Sequence, residues 1–223
     1  MAQYTLIVGT RSWSSWSLRP FMALKATGAA FDTVDIRLRQ KDAPTTREQI
    51  LAFSPAGKVP VLKIEENGRT LTVWDSLAIC EALAERHPEA KLWPADAAAR
   101  ALARSYACEM HSGFADVRDQ LTMDFARRKP LPDLREDTKN QLTRILDAWQ
   151  VALSTYKADF LFGPFTIADC MYAPVVSRFE TYGVSVPAPV RAYMDRMLAL
   201  PAMQEWRAVC EKEIEAGLPA AMP

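Results

Sequence analysis

After Lys91-Leu92-Trp93-Pro94 the strand signals of this chain stop, and every strong apolar pattern beyond them has helical spacing. Leu102, Tyr106, Met110, Phe114, Val117, Leu121 and Phe125 predict one long helix. Leu142, Ile145, Leu146, Trp149, Leu153 and Tyr156 predict another. Thr166-Ile167-Ala168-Asp169 reads as a helix start, a hydroxyl for the N-cap followed by a carboxylate in the first turn. Pro174 inside that helix predicts a kink and a freed carbonyl. Arg191–Leu200 and Met203–Glu215 read as the last two helices, divided at Pro201.

Ahead of that change the pattern is mixed. Tyr4–Gly9 (YTLIVG) is a short apolar run ending at glycine, a buried strand. Leu18, Met22, Ala23 and Leu24 give a helix that ends near Gly28, and Phe31–Leu38 alternates as a second strand. Arg47–Phe53 allows a short helix. Val61–Ile64 and Leu71–Val73 flank Asn67-Gly68, a strong hairpin signal. Leu77, Cys80, Leu83 and Ala84 then repeat at helical spacing up to His87-Pro88. The order β-α-β-α-β-β-α requires a small mixed sheet with helices on its faces. Residues 1–86 therefore read as an α/β domain and residues 96–223 as an all-α domain.

Composition narrows the function classes. Lysine plus arginine and aspartate plus glutamate balance at 27 each, so no net field draws nucleic acid or an anionic membrane. The apolar start is too short for a signal segment, and no run approaches the ~20 residues of a membrane span. Cys80, Cys108, Cys170 and Cys210 are widely spaced and sit in helical patterns, so they read as small apolar side chains. With His87 and His111 the only histidines, no metal-ligand spacing is present. A reducing cytoplasm suits this cysteine usage.

Two short stretches carry the chemistry. In SPAGKVPVL, residues 54–62, Pro60 sits at the mouth of a strand and cannot donate to a ladder. Such an interruption leaves a backbone amide and carbonyl free for a peptide-like ligand. In Trp74-Asp75-Ser76, Ser76 at a helix start offers a hydroxyl and an N–H to a carboxylate, while Asp75 suits an ammonium. An α-amino acid presents both groups. A plain helix cap explains the same residues.

Taken in order, SWSSWSLR (Ser12–Arg19), SPAGKVPVL, WDSLAICEAL (Trp74–Leu83) and FTIADCMYAPVV (Phe165–Val176) resemble the cytosolic glutathione transferases. The likeness spans essentially the whole chain and is nearest to the serine-type bacterial and zeta-like members. It implies a thioredoxin-like N-terminal domain, an all-helical C-terminal domain and a homodimer. Glutathione is implied as co-substrate, with no covalently bound cofactor and no metal, together with a small hydrophobic electrophile. It also implies that Val59–Pro60 is cis and that Val59 pairs with the cysteinyl unit of glutathione. Asp75 and Ser76 would then hold the γ-glutamyl end, although the family more often has glutamate at the Asp75 position. Lys58 would meet a carboxylate or stay solvated.

The same resemblance sets Ser12 and Ser15 where thioredoxin-like proteins carry two cysteines, so one serine would hold the thiolate of glutathione. Counting back from Arg19 points to Ser12, with Ser14 and Ser15 as alternatives. Trp13 and Ser14 depart from the Ser-Cys pair of the zeta isomerases. By position Met110, Phe114 and Arg118 are candidates for the electrophile site, with His111 nearby, though core packing explains them equally. The implied activity is conjugation of glutathione. A maleylacetoacetate-type isomerase, a dehalogenase and a non-catalytic stress or interaction protein are the alternatives.

Overall fold

The structure, a computed structural model, describes residues 2–221. Its sheet runs β2-β1-β3-β4. Strand β1 (Gln3–Gly9) is parallel to β2 (Phe31–Ile36) and antiparallel to β3 (Val61–Glu66), which pairs with β4 (Arg69–Trp74). Period-2 alternation explains the unbroken apolar run in β1. Leu6 and Val8 face the helices α1 (Ser15–Thr27) and α3 (Ser76–Arg86). Ile7 points the other way, packing with Ile36, Val61 and Ile50 of α2 (Thr46–Leu51). Both faces are covered, so both sets of side chains are apolar. The hairpin between β3 and β4 turns at Asn67 (φ 52°) and Gly68 (φ 72°), the paired positive angles that this dipeptide favours. This is the thioredoxin-like arrangement the sequence predicts.

Among the described residues six α-helices follow: α4 (Ala97–Ser112), α5 (Ala115–Gln120), α6 (Glu136–Tyr156), α7 (Ile167–Tyr182), α8 (Ala188–Ala199) and α9 (Pro201–Glu215). Helix α7 forms the centre, buried along its length apart from Glu180. It runs through Pro174 to Tyr182 without interruption. Trp149 of α6 packs against it, with Tyr172 at 5.4 Å and Phe179 at 5.6 Å between ring centroids.

The single helix expected across residues 102–125 is instead broken, and this corrects the periodicity argument. Helix α4 ends at Ser112, and Phe114 adopts a left-handed φ of 58°. A Cβ on Gly113 would lie 2.8 Å from the carbonyl oxygen of Glu109, so glycine permits the close turn. The exposed ends then find arginines. Arg118 donates to the carbonyls of Met110, His111 and Gly113, and Arg178 donates to those of Arg118 and Leu121. Apolar spacing survives the break because Val117 and Leu121 still return to the core.

Asp169 fixes the start of α7 and more. Its carboxylate accepts from Thr166 N (2.8 Å), Thr166 Oγ1 (3.1 Å), Leu161 N (3.1 Å) and the Tyr193 hydroxyl (3.2 Å). The residue is fully buried. Asp169→Ala strands all four donors away from water and should lower the unfolding free energy by about 3 kcal/mol. Urea titration checks this as a lower midpoint at unchanged slope.

Candidate functional site

The loop from Thr10 to Ser14 joins β1 to α1 and carries buried polar groups that its own residues do not satisfy. Helix α9 satisfies them. Glu213 accepts from Arg11 N (2.8 Å), Ser12 N (2.8 Å) and Ser12 Oγ (2.6 Å). Trp206 Nε1 donates to Arg11 O at 3.0 Å, and Phe125 N donates to Ser12 O at 2.9 Å. The Arg11 guanidinium lies 5.1 Å from the Trp206 ring and pairs with Asp35 at 2.8 Å.

The three candidate serines therefore differ. Ser12, the position reached by counting back from Arg19, is fully buried with its hydroxyl committed to Glu213. Ser14 donates to Ser17 Oγ at 2.7 Å, and Ser17 Oγ also accepts from Gly9 N at 3.2 Å. Ser15 opens α1, and its hydroxyl makes no hydrogen bond among the described residues. Ser15 is thus the one of the three whose hydroxyl has no protein partner at the positive end of α1, although it is buried and none of the three lines the neighbouring cavity.

Beside this helix start lies a cavity of about 290 Å³. Lys58, Val59, Pro60, Asp75 and Ser76 all line it, together with Trp16, Ala56, Trp74 and His111. The Val59–Pro60 bond is cis. Among the described residues Val59 makes no backbone hydrogen bond, so its N–H and C=O are available. Asp75 has a φ of 75°, in the left-handed region that a β-carbon disfavours. In that pose its Oδ1 caps α3, accepting from Leu77 N (2.9 Å) and Ala78 N (3.2 Å). Ser76 is fully buried, and its hydroxyl has no hydrogen-bond partner. An unpaired buried hydroxyl on a cavity wall is costly unless something else fills its valence.

The wall that Trp16 forms is backed by cations. Trp16 has the Arg19 guanidinium 4.3 Å from its ring and that of Arg118 at 4.7 Å, while the His111 ring meets it edge-on at 5.3 Å. His111 Nε2 lies 3.2 Å from Asp75 Oδ2, joining the helical half to the α/β half across the cavity. Arg19 is buried, and burial lowers its pKa to about 9, with nearby Arg118 and Arg178 adding to the effect. Its Nε and Nη1 have no partner.

Of the three electrophile candidates, none lines this cavity. Met110 and Phe114 are buried in the core, and Arg118 stands behind Trp16 with its donors on the carbonyls at the end of α4. Trp16 is the wall residue that sequence reasoning missed, since within SWSSWSLR it reads as another apolar helix position. Cys80, Cys170 and Cys210 are buried, and burial pushes their thiols up. Among the described residues no cluster of ligating side chains could hold a metal ion, and no helix is long and apolar enough to cross a membrane.

Both halves of the chain resemble known proteins. Residues 13–86 match the N-terminal domain of glutathione S-transferase, and residues 132–218 match its C-terminal domain. Rat maleylacetoacetate isomerase is 28% identical over 198 residues, covering 87% of each chain. A maleylacetoacetate isomerase from Anaeromyxobacter dehalogenans, solved with glutathione in its active site, is 28% identical. Its TM-score is 0.69, over 98% of this chain and 99% of its own. A Burkholderia glutathione transferase homologue, also with bound glutathione, is 25% identical with a TM-score of 0.70 over 94% and 98%.

The anchoring of the serine loop is directly testable. Glu213→Ala leaves three donors without their acceptor and should lower the unfolding free energy by about 2–3 kcal/mol, with Glu213→Gln recovering part of the loss. Denaturant titration of the two variants checks this.

Proposed function

Because the chain belongs to the glutathione S-transferase family, we propose that its cavity binds glutathione. The observation that carries this reading is the unpaired hydroxyl of Ser76, set beside Asp75 on the wall that also bears Val59. Ser76 and the start of α3 receive the γ-glutamyl carboxylate, and Asp75 receives the ammonium. The available N–H and C=O of Val59 pair with the cysteinyl unit as a short strand. Lys58 meets the remaining carboxylate.

The sulfur then points toward the start of α1, where Ser15 donates to it. One charge-assisted hydrogen bond contributes roughly 1.5–3 kcal/mol, and one pKa unit corresponds to about 1.36 kcal/mol. A thiol of pKa about 8.5 is thereby brought down by one to two units, so thiolate is plentiful at neutral pH. Ser12 has a different task, holding the loop to Glu213. Ser15→Ala should reduce turnover by about 10- to 100-fold, whereas Ser12→Ala should keep most of its turnover and lose stability. Steady-state kinetics and thermal unfolding of both variants check this.

The reaction we infer is cis–trans isomerisation of an anionic, conjugated substrate. The thiolate adds to the activated double bond, forming a C–S bond and an enolate. Rotation about the resulting single bond follows, and elimination of the thiolate breaks the C–S bond and restores the double bond. No external oxidant or leaving group is required. The likeness to the rat and Anaeromyxobacter maleylacetoacetate isomerases supports this reading. So does the positive charge behind Trp16, which suits a carboxylate-bearing substrate. Conjugation to a small hydrophobic electrophile is the second reading, favoured by the likeness to the Burkholderia homologue. Turnover of maleylacetone with glutathione conserved supports the first. Stoichiometric loss of glutathione with chlorodinitrobenzene, and no isomerisation, supports the second. The proposal includes a cytoplasmic homodimer, read by light scattering as twice the chain mass.

A further inference from the structure

The two oxygens of Asp75 carry different loads. Oδ1 is filled by the N–H groups of Leu77 and Ala78. Oδ2 is the oxygen left for a ligand, and it already faces His111 Nε2 at 3.2 Å. A glutathione ammonium that reaches Asp75 must therefore share Oδ2 with the imidazole or displace it. We propose that His111 and the α-ammonium of glutathione compete for Asp75 Oδ2, so that the tripeptide binds tightly only when the imidazole is uncharged. This inference rests on the glutathione reading of the cavity.

The surroundings of His111 decide the sign. Asp75 comes from the start of α3, Arg19 and the Trp16 ring from α1, and Arg118 from α5. Among these charged groups Asp75 is the sole anion, so a protonated His111 and a bound ammonium would share one carboxylate beside two guanidinium groups. A neutral imidazole relieves that crowding. Burial holds the His111 pKa below its ordinary value, Arg19 and Arg118 act in the same direction, and Asp75 opposes them. At neutral pH the ring is accordingly uncharged, and acidification charges it.

S-methylglutathione is the appropriate probe because it keeps the ammonium and both carboxylates but has no thiol to titrate. Binding that requires a neutral imidazole weakens by up to about tenfold per pH unit below the imidazole pKa. Calorimetry from about pH 5 to pH 8 should show that weakening in the unaltered protein, and His111→Gln should bind with affinity nearly independent of pH. Proton release on binding at the acid end, read from the heat in two buffers of different ionisation enthalpy, tests the same claim without a variant. A flat profile in the unaltered protein, an unchanged slope in His111→Gln, or tighter binding on acidification would overturn the competition. Absence of binding at every pH would instead remove glutathione from the cavity, and this inference with it.

Discussion

One carboxylate holds the turn between β1 and α1 in place. Glu213 lies 201 residues from Ser12 along the chain, yet it accepts both amides and the hydroxyl that the turn would otherwise bury unpaired. Trp206, on the same helix, satisfies the carbonyl of Arg11. Buried main-chain groups without partners are costly, so this turn has no stable form without α9 against it. The position of the turn sets where α1 begins, and α1 in turn presents Trp16 to the cavity.

Around the cavity, residues that serve the fold and residues left for a ligand are interleaved. Asp75 spends one oxygen on the cap of α3 and keeps the other toward His111. Ser76, its neighbour, keeps a buried hydroxyl with no protein partner. Arg118 closes the end of α4 and backs Trp16 with the same guanidinium. Such double use explains why the cavity spans both halves of the molecule. His111 reaches it from the last turn of α4, just ahead of the break that Gly113 permits.

Much of this was legible in the amino-acid order, because local rules governed it. Asn67-Gly68 gave the hairpin, the alternation in Phe31–Leu38 gave β2, and Thr166 with Asp169 gave the start of α7. The group Lys58, Val59, Pro60, Asp75 and Ser76 shares one cavity because two short motifs flank the β3–β4 hairpin. What escaped was long-range. Nothing near Ser12 announces that Glu213 will take its hydroxyl, so counting from Arg19 favoured the serine that the tertiary structure occupies. The break after Ser112 escaped for a related reason. Apolar spacing continues through it, and the arginines that accommodate it come from positions 118 and 178.

The dependence of the serine turn on α9 also orders events during synthesis. The sheet and its helices leave the ribosome well before Trp206 and Glu213 are translated, so the nascent α/β half carries an unsealed turn. A chain interrupted ahead of α9 keeps the cis proline, Asp75 and Ser76 in its sequence yet lacks the groups that fix its first helix. The turn that precedes α1 is thus sealed last, with the arrival of α9.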